Sequence, residues 1–105
     1  MSHRLTYLEE AEQDMLIIAE YMSQFYPSTA RNFFSRLEKQ LSLIKDMPLM
    51  CKAYEEDPFF RRMVVDDDYL LFYCVDEEKE LIVVAGVFHG SRGDIQQALR
   101  NRKSE

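Results

Sequence analysis

The residues with the most obvious chemical capacity sit at the two ends of one stretch, Arg61 to Gly93. Arg61 and Arg62 open it, and His89 and Arg92 close it. Arginine presents a fixed fork of donors to an anion, and histidine can carry a proton at neutral pH. If the chain performs chemistry, these cations and this imidazole are where it would lie. The same stretch holds three apolar runs, Met63 to Val65, Tyr69 to Val75 and Leu81 to Phe88, rich in Val, Ile, Leu, Phe and Tyr. Such runs favour strands. Asp66-Asp67-Asp68 and Asp76 to Glu80 separate them, and both are short enough for hairpin turns. A meander of three antiparallel strands is therefore expected.

The middle run alternates two apolar faces: Leu70, Phe72 and Cys74 on one, Tyr69, Leu71, Tyr73 and Val75 on the other. A strand apolar on both sides is central and covered twice. In the last run Gly86 marks a bulge or a close backbone approach.

The segments before the meander must position it. Arg4 to Leu8 reads as a strand. Glu9-Glu10-Ala11-Glu12 then opens a helix, its carboxylates facing the positive end of the helix dipole. Leu8, Ala11, Met15, Ile18, Met22 and Phe25 recur at threes and fours and form one apolar stripe. Pro27 ends that helix. A second helix is expected from Ser28 or Thr29, either of which suits an N-cap, with Ala30, Phe33, Leu37, Leu41, Ile44 and Met47 as its stripe. Joined so closely, the two helices lie antiparallel and must bury their stripes on the meander. Leu49 to Phe60 is irregular, and Tyr54, Phe59 and Phe60 are its expected anchors in the core. Asp94 can cap a short helix from Ile95 to Arg100, within a C-terminal helix or tail spanning about residues 96–105. The fold class is α+β: an N-terminal strand, an antiparallel helical hairpin, then a three-stranded antiparallel meander. The first strand joins the meander at a non-sequential position, in an antiparallel sheet of about four strands.

With 105 residues, 47% of them hydrophobic and only three Gly and three Pro, residues 1–105 form one domain with a real core. No run of about 18 apolar residues is present, so no membrane span is expected. No secretory signal is visible after Met1, and Cys51 and Cys74 lack metal-ligand spacing, which points to a cytoplasmic protein with reduced thiols, no metal and no cofactor. The net charge of −6 disfavours nucleic acid as a general partner. Seven carboxylates crowd the two meander turns and read as solvated loops; the tail Arg100-Asn101-Arg102-Lys103 is locally basic.

The layout resembles the RelE/ParE superfamily of toxins from type II toxin–antitoxin, or plasmid stabilisation, systems. Four segments carry the resemblance over residues 5 to about 95: Ala11-Glu12-Gln13-Asp14-Met15; Tyr26-Pro27-Ser28-Thr29-Ala30, similar to Asn-Pro-x-Ala-Ala; Arg62 followed by Tyr69-Leu70-Leu71-Phe72-Tyr73-Cys74-Val75-Asp76, similar to Tyr-Arg-Ile-x-Tyr-x-Val-Asp; and Val87-Phe88-His89-Gly90-Ser91-Arg92-Gly93-Asp94, close to Val-x-His-x-x-Arg-Asp. The resemblance implies a growth-inhibiting toxin with a cognate antitoxin as partner. One branch of the superfamily inhibits DNA gyrase; the other cuts messenger RNA on the ribosome.

Metal-free RNA cleavage needs a base, cations for the phosphorane and an acid. By the resemblance, His89, Arg61, Arg62, Arg92 and Glu55 or Glu56 are the residues a nuclease would use. However, Leu70 stands where that branch has an arginine, and Gly90 where it has a tyrosine. The resemblance therefore leans to the ParE branch and a toxin that is not an enzyme. A RelE-like endoribonuclease and a non-toxic antitoxin-binding module remain the alternatives. His89 is then a residue that closes the strand, Arg62 one that pairs with a carboxylate or meets the antitoxin, and Arg92 one that pairs with Asp94.

Overall fold

A computed structural model describes residues 2–103. The elements in chain order are β1 (Arg4–Tyr7), α1 (Glu9–Ser23), α2 (Pro27–Asp46), β2 (Arg61–Val64), β3 (Tyr69–Asp76), β4 (Leu81–His89) and α3 (Ile95–Arg102). The meander is present with its strands displaced by no more than two residues from the apolar runs. The class is α+β as expected, with four strands in the order β1-β4-β3-β2. Of the expected C-terminal segment, Ser104 and Glu105 lie outside the described residues.

The sheet differs from expectation in one respect: it is mixed. β1 pairs with β4 in parallel, Leu5 opposite Ile82 and Tyr7 opposite Val84, while β2–β3 and β3–β4 are antiparallel. Parallel neighbours need a long crossover, and everything from Leu8 to Glu80 supplies it. Two hairpins separate β2 from β4, so these two strands run the same way, and β1 runs with them.

Helix boundaries follow the backbone rather than the proposed caps. α2 starts at Pro27, whose missing N–H and fixed φ suit the first helical turn, so the cap position falls on Tyr26 and not on Ser28 or Thr29. Asp94 does precede α3 but makes no capping hydrogen bond. Its carboxylate is engaged by Arg92.

β3 is covered on both faces. On one, Phe33, Leu37 and Ile44 of α2 and Ala11, Ile18 and Met22 of α1 pack over Leu71, Tyr73, Ile82, Val84 and Val87. On the other, Ile95 and Leu99 of α3 pack with Phe60, Phe72, Ala85 and Phe88. Tyr54 lies partly buried against this second cluster, but Phe59 is 54% exposed and is no core anchor. Two stripe positions also fail: Phe25 is 57% and Met47 53% exposed, each beyond the end of its helix and off the sheet.

Gly86 meets both expectations for it. The β3–β4 register slips between Phe72 and Tyr73, leaving Ala85 unpaired between Val84 and Gly86. The extra residue turns Ala85 and Phe88 toward α3 while Val84 and Val87 keep the hairpin side. A Cβ at Gly86 would lie 2.7 Å from both Arg102 Nη1 and Phe88 Cζ.

Candidate functional site

The end of β4 is held in a tight turn. His89 lies opposite Tyr69, with the two rings edge to face at 5.2 Å. Its Nδ1 accepts from the Ser91 backbone N–H at 3.1 Å and lies 2.7 Å from the Ser91 hydroxyl. Accepting at Nδ1 leaves the ring proton of the neutral imidazole on Nε2. The Gly90 N–H donates to Asp68 O (2.7 Å) and the Arg92 N–H to His89 O (3.0 Å). These bonds match the strand-closing reading of His89.

Arg92 donates to both carboxylate oxygens of Asp94, at 2.5 and 3.3 Å. The bond from Arg92 holds the Asp94 carboxyl below its ordinary range, and Asp94 raises the Arg92 guanidinium in return. The Arg92 guanidinium also lies 4.7 Å from the centre of the Phe88 ring.

The other cations lie elsewhere. Arg61 is half-buried and donates to the carbonyls of Cys51 (2.5 Å) and Leu49 (3.5 Å), tying the 47–60 connection to the sheet. Arg62 is exposed and has no carboxylate partner among the described residues, so the expected ion pair is absent. Its strand partner is Phe72, on the α3 face, whereas His89 pairs with Tyr69 on the hairpin face. Two strand spacings and three residue rises separate Arg62 from His89, about 14 Å between Cα atoms. Glu55 and Glu56 are exposed beside the start of α3, where Gln96 Nε2 donates to Glu56 O at 3.3 Å. Leu70 is half-buried opposite Phe88. The fold thus brings His89 and Arg92 together and leaves Arg61, Arg62, Glu55 and Glu56 apart from them.

A groove of about 540 Å³ opens between α1 and the ends of β3 and β4. Ile17, Tyr21 and Phe25 form one wall and Tyr69, His89 and Arg92 another. Asp14 lies at its base, only 9% exposed. Its Oδ2 accepts from the Val87 N–H (3.1 Å) and from Arg102 Nη1 (2.6 Å), and its Oδ1 from Arg102 Nη2 (3.2 Å). Arg102 Nη1 also donates to Ala85 O at 3.0 Å, and its guanidinium lies 4.8 Å from the Phe88 ring centre.

Sequence reading assigned Asp14 no structural role. The available signal was its spacing, three from Ala11 and four from Ile18, which places it on the buried face. The basic tail finds acidic partners in the fold: Arg102 meets Asp14, and Lys103 Nζ meets Asp57 at 2.8 Å.

No described helix is long and apolar enough to cross a membrane. Among the described residues, no three His, Cys, Asp or Glu side chains gather as metal ligands would. No curated protein matches the chain. Among solved structures, a double Arg-to-Ala mutant of the E. coli toxin RelE in the free state superposes with a TM-score of 0.69, at 18% identity, covering 99% of this chain and 100% of that one. The isolated E. coli RelE toxin gives 0.60 at 18% identity, covering 96% and 98%. The toxin–antitoxin complex RelBE2 of Mycobacterium tuberculosis gives 0.60 at 16% identity, covering 85% and 99%. These likenesses concern the fold. The model of the ParE toxin of the type II toxin–antitoxin system, parDE, matches residues 5–93, and on that match the chain belongs to the ParE toxin family, within the RelE/ParE superfamily.

Proposed function

We propose that this toxin inhibits growth by binding its target rather than by cutting RNA, that the target is DNA gyrase, and that a cognate antitoxin neutralises it. The observation that carries the reading is the dispersal of the catalytic set. Arg62 and His89 project from opposite faces of the sheet. General acid–base cleavage needs its groups within hydrogen-bond reach of one phosphate. Leu70, at the position where the nuclease branch has its arginine, packs against the α3-side core and has nothing to offer an anion. The net charge of −6 also opposes a long-range approach to RNA.

The test uses purified toxin in two parallel assays. In one, gyrase supercoils relaxed plasmid; in the other, a cell-free translation reaction is probed for transcript cleavage by primer extension. Loss of supercoiling with intact transcripts is the expected result. Normal supercoiling at saturating, folded toxin would overturn the gyrase assignment.

The ribosome-dependent nuclease is kept as a second reading because His89 and Arg92 line one groove. Under it, His89→Ala would abolish cleavage of the transcript. Cleavage that survives His89→Ala and Arg62→Ala would eliminate it.

A further inference from the structure

The two edges of the sheet differ in cover. β2 is closed on its outer side: Lys52 O accepts from the Arg62 N–H at 3.0 Å, and Gln40 Nε2 donates to Val64 O at 3.1 Å. β1, at the other end of the strand order, is open. The Arg4 and Leu8 N–H groups donate to Glu80 O and Val84 O, each at 3.0 Å, so the even-numbered residues turn their main chain toward β4. Leu5 and Tyr7 turn theirs outward, where it has no partner among the described residues. The next outward group, the His3 N–H, donates to Lys45 O at 2.8 Å and marks where the open edge begins. An uncovered strand edge is a template for another strand.

The charges along this edge are sorted by end. Exposed Arg4 and half-buried Lys45, whose carbonyl holds His3, stand at its start. Exposed Glu9 and Glu12, neighbours in the first turn of α1, stand at its finish. None of these has an ion-pair partner among the described residues. The side chains of Leu5 and Tyr7 pack on the hairpin side, so Arg4 and Thr6 lie on the other.

We propose that β1 pairs antiparallel with β1 of a second copy of this chain and extends the sheet across a two-fold axis. With the axis at Thr6, Leu5 lies opposite the partner's Tyr7 and Tyr7 opposite the partner's Leu5. The outward N–H and C=O groups of both residues are then bonded. Thr6 faces its own counterpart, a favourable cross-strand pair. The two-fold sets the cationic end of one edge against the acidic end of the other. Arg4 falls beside the partner's Glu9, and Lys45 beside the partner's Glu12. That order of charge selects the occupant, because the chain's own strand supplies it twice by symmetry. Edges this short bury little surface, so the dimer is a weak one, with a Kd of roughly 10–300 µM. The inference is independent of the gyrase reading.

Association of the full chain is measured by sedimentation equilibrium up to about 1 mM, where a monomer–dimer equilibrium is expected. Arg4→Glu with Lys45→Glu sets carboxylate against carboxylate, and Glu9→Lys with Glu12→Lys sets cation against cation. Each pair of changes should weaken the dimer by about ten-fold, and about 1 M salt should remove most of that difference. An equimolar mixture of the two variants restores every opposite-sign contact and should associate as tightly as the unaltered chain. Amide hydrogen exchange supplies a second readout. The Leu5 and Tyr7 amides should slow by about three-fold or more between dilute and about 1 mM protein, while the Thr6 amide, which faces β4, should not follow.

A chain that stays monomeric to about 1 mM would overturn the proposal. So would a dimer that keeps its strength in both variants, a mixture that fails to associate, or Leu5 and Tyr7 amides that exchange at one rate throughout.

Discussion

Arg102, in the last turn of α3, donates two hydrogen bonds to the carboxylate of Asp14, in the middle of α1, across 88 positions of sequence. Both side chains are nearly buried, at 13% and 10% exposure. Asp14 simultaneously satisfies the Val87 N–H beside the β4 bulge, and Arg102 the Ala85 carbonyl within it. One ion pair thus joins α1, the irregular part of β4 and α3, and closes the base of the groove that His89 and Arg92 line.

Removing one partner should cost more than removing both. Asp14→Ala strands a buried guanidinium and an unpaired N–H, and is expected to destabilise by about 3–5 kcal/mol in urea unfolding. The double change Asp14→Leu with Arg102→Met should recover most of that loss. If Asp14→Ala costs less than about 1 kcal/mol, the pair does not hold α3 in place.

At Gly86 the added methyl of Ala would meet Phe88, a buried ring, and Arg102 at 2.7 Å. Gly86→Ala is expected to cost roughly 1–3 kcal/mol. In an Arg102→Ala background one of the two clashes is gone, so the penalty should shrink. Equal penalties in both backgrounds, measured by thermal unfolding, would show that only Phe88 resists the methyl.

Alkaline pH should weaken the fold through Tyr73. Burial, reinforced by the neighbouring Cys51, raises its phenol well above the ordinary 10.0, and its hydroxyl donates to Pro48 O at 2.7 Å. A raised value means that the folded state holds this proton more tightly than the unfolded chain. The contribution is then fully present below pH 10 and is lost as pH rises toward the folded-state value. Tyr7, Tyr54 and Tyr69 shift in the same direction, chiefly through burial. Stability in urea should therefore be flat to about pH 9 and fall above pH 10. Tyr73→Phe should cost about 1 kcal/mol at pH 7 and make the alkaline fall shallower. An unchanged alkaline slope would assign the effect to the other tyrosines and to Cys74, whose thiol is likewise raised by burial.

The adjacent arginines should separate cleanly. Arg61→Ala removes a charged donor from the Cys51 and Leu49 carbonyls and is expected to cost about 1–2 kcal/mol. Arg62 is exposed and unpaired among the described residues, so Arg62→Ala should change stability by less than about 0.5 kcal/mol. Denaturant midpoints of the two variants decide it; a larger loss for Arg62→Ala would reverse the assignment.

The sequence by itself determined the elements and the buried face of α2 and β3, because periodicity and turn chemistry are local. The threes and fours of Phe33, Leu37, Leu41 and Ile44 specify which side of α2 is buried. The double apolar alternation of Tyr69 to Val75 specifies a strand covered twice, and a lone Gly86 in an apolar run marks the bulge. Three things only the tertiary structure decided. The direction of β1 depends on how the chain returns after two helices and a long connection, which no window of sequence contains. The pairing of Asp14 with Arg102 needs α3 docked across the bulge, and an acid between Gln13 and Met15 carries no mark of a partner 88 residues away. The separation of Arg62 from His89 follows from register: pairing with Phe72 and with Tyr69 sends their side chains to opposite faces, because neighbours along a strand alternate sides. Arginines and a histidine that look like one site in the sequence are two surfaces in the fold.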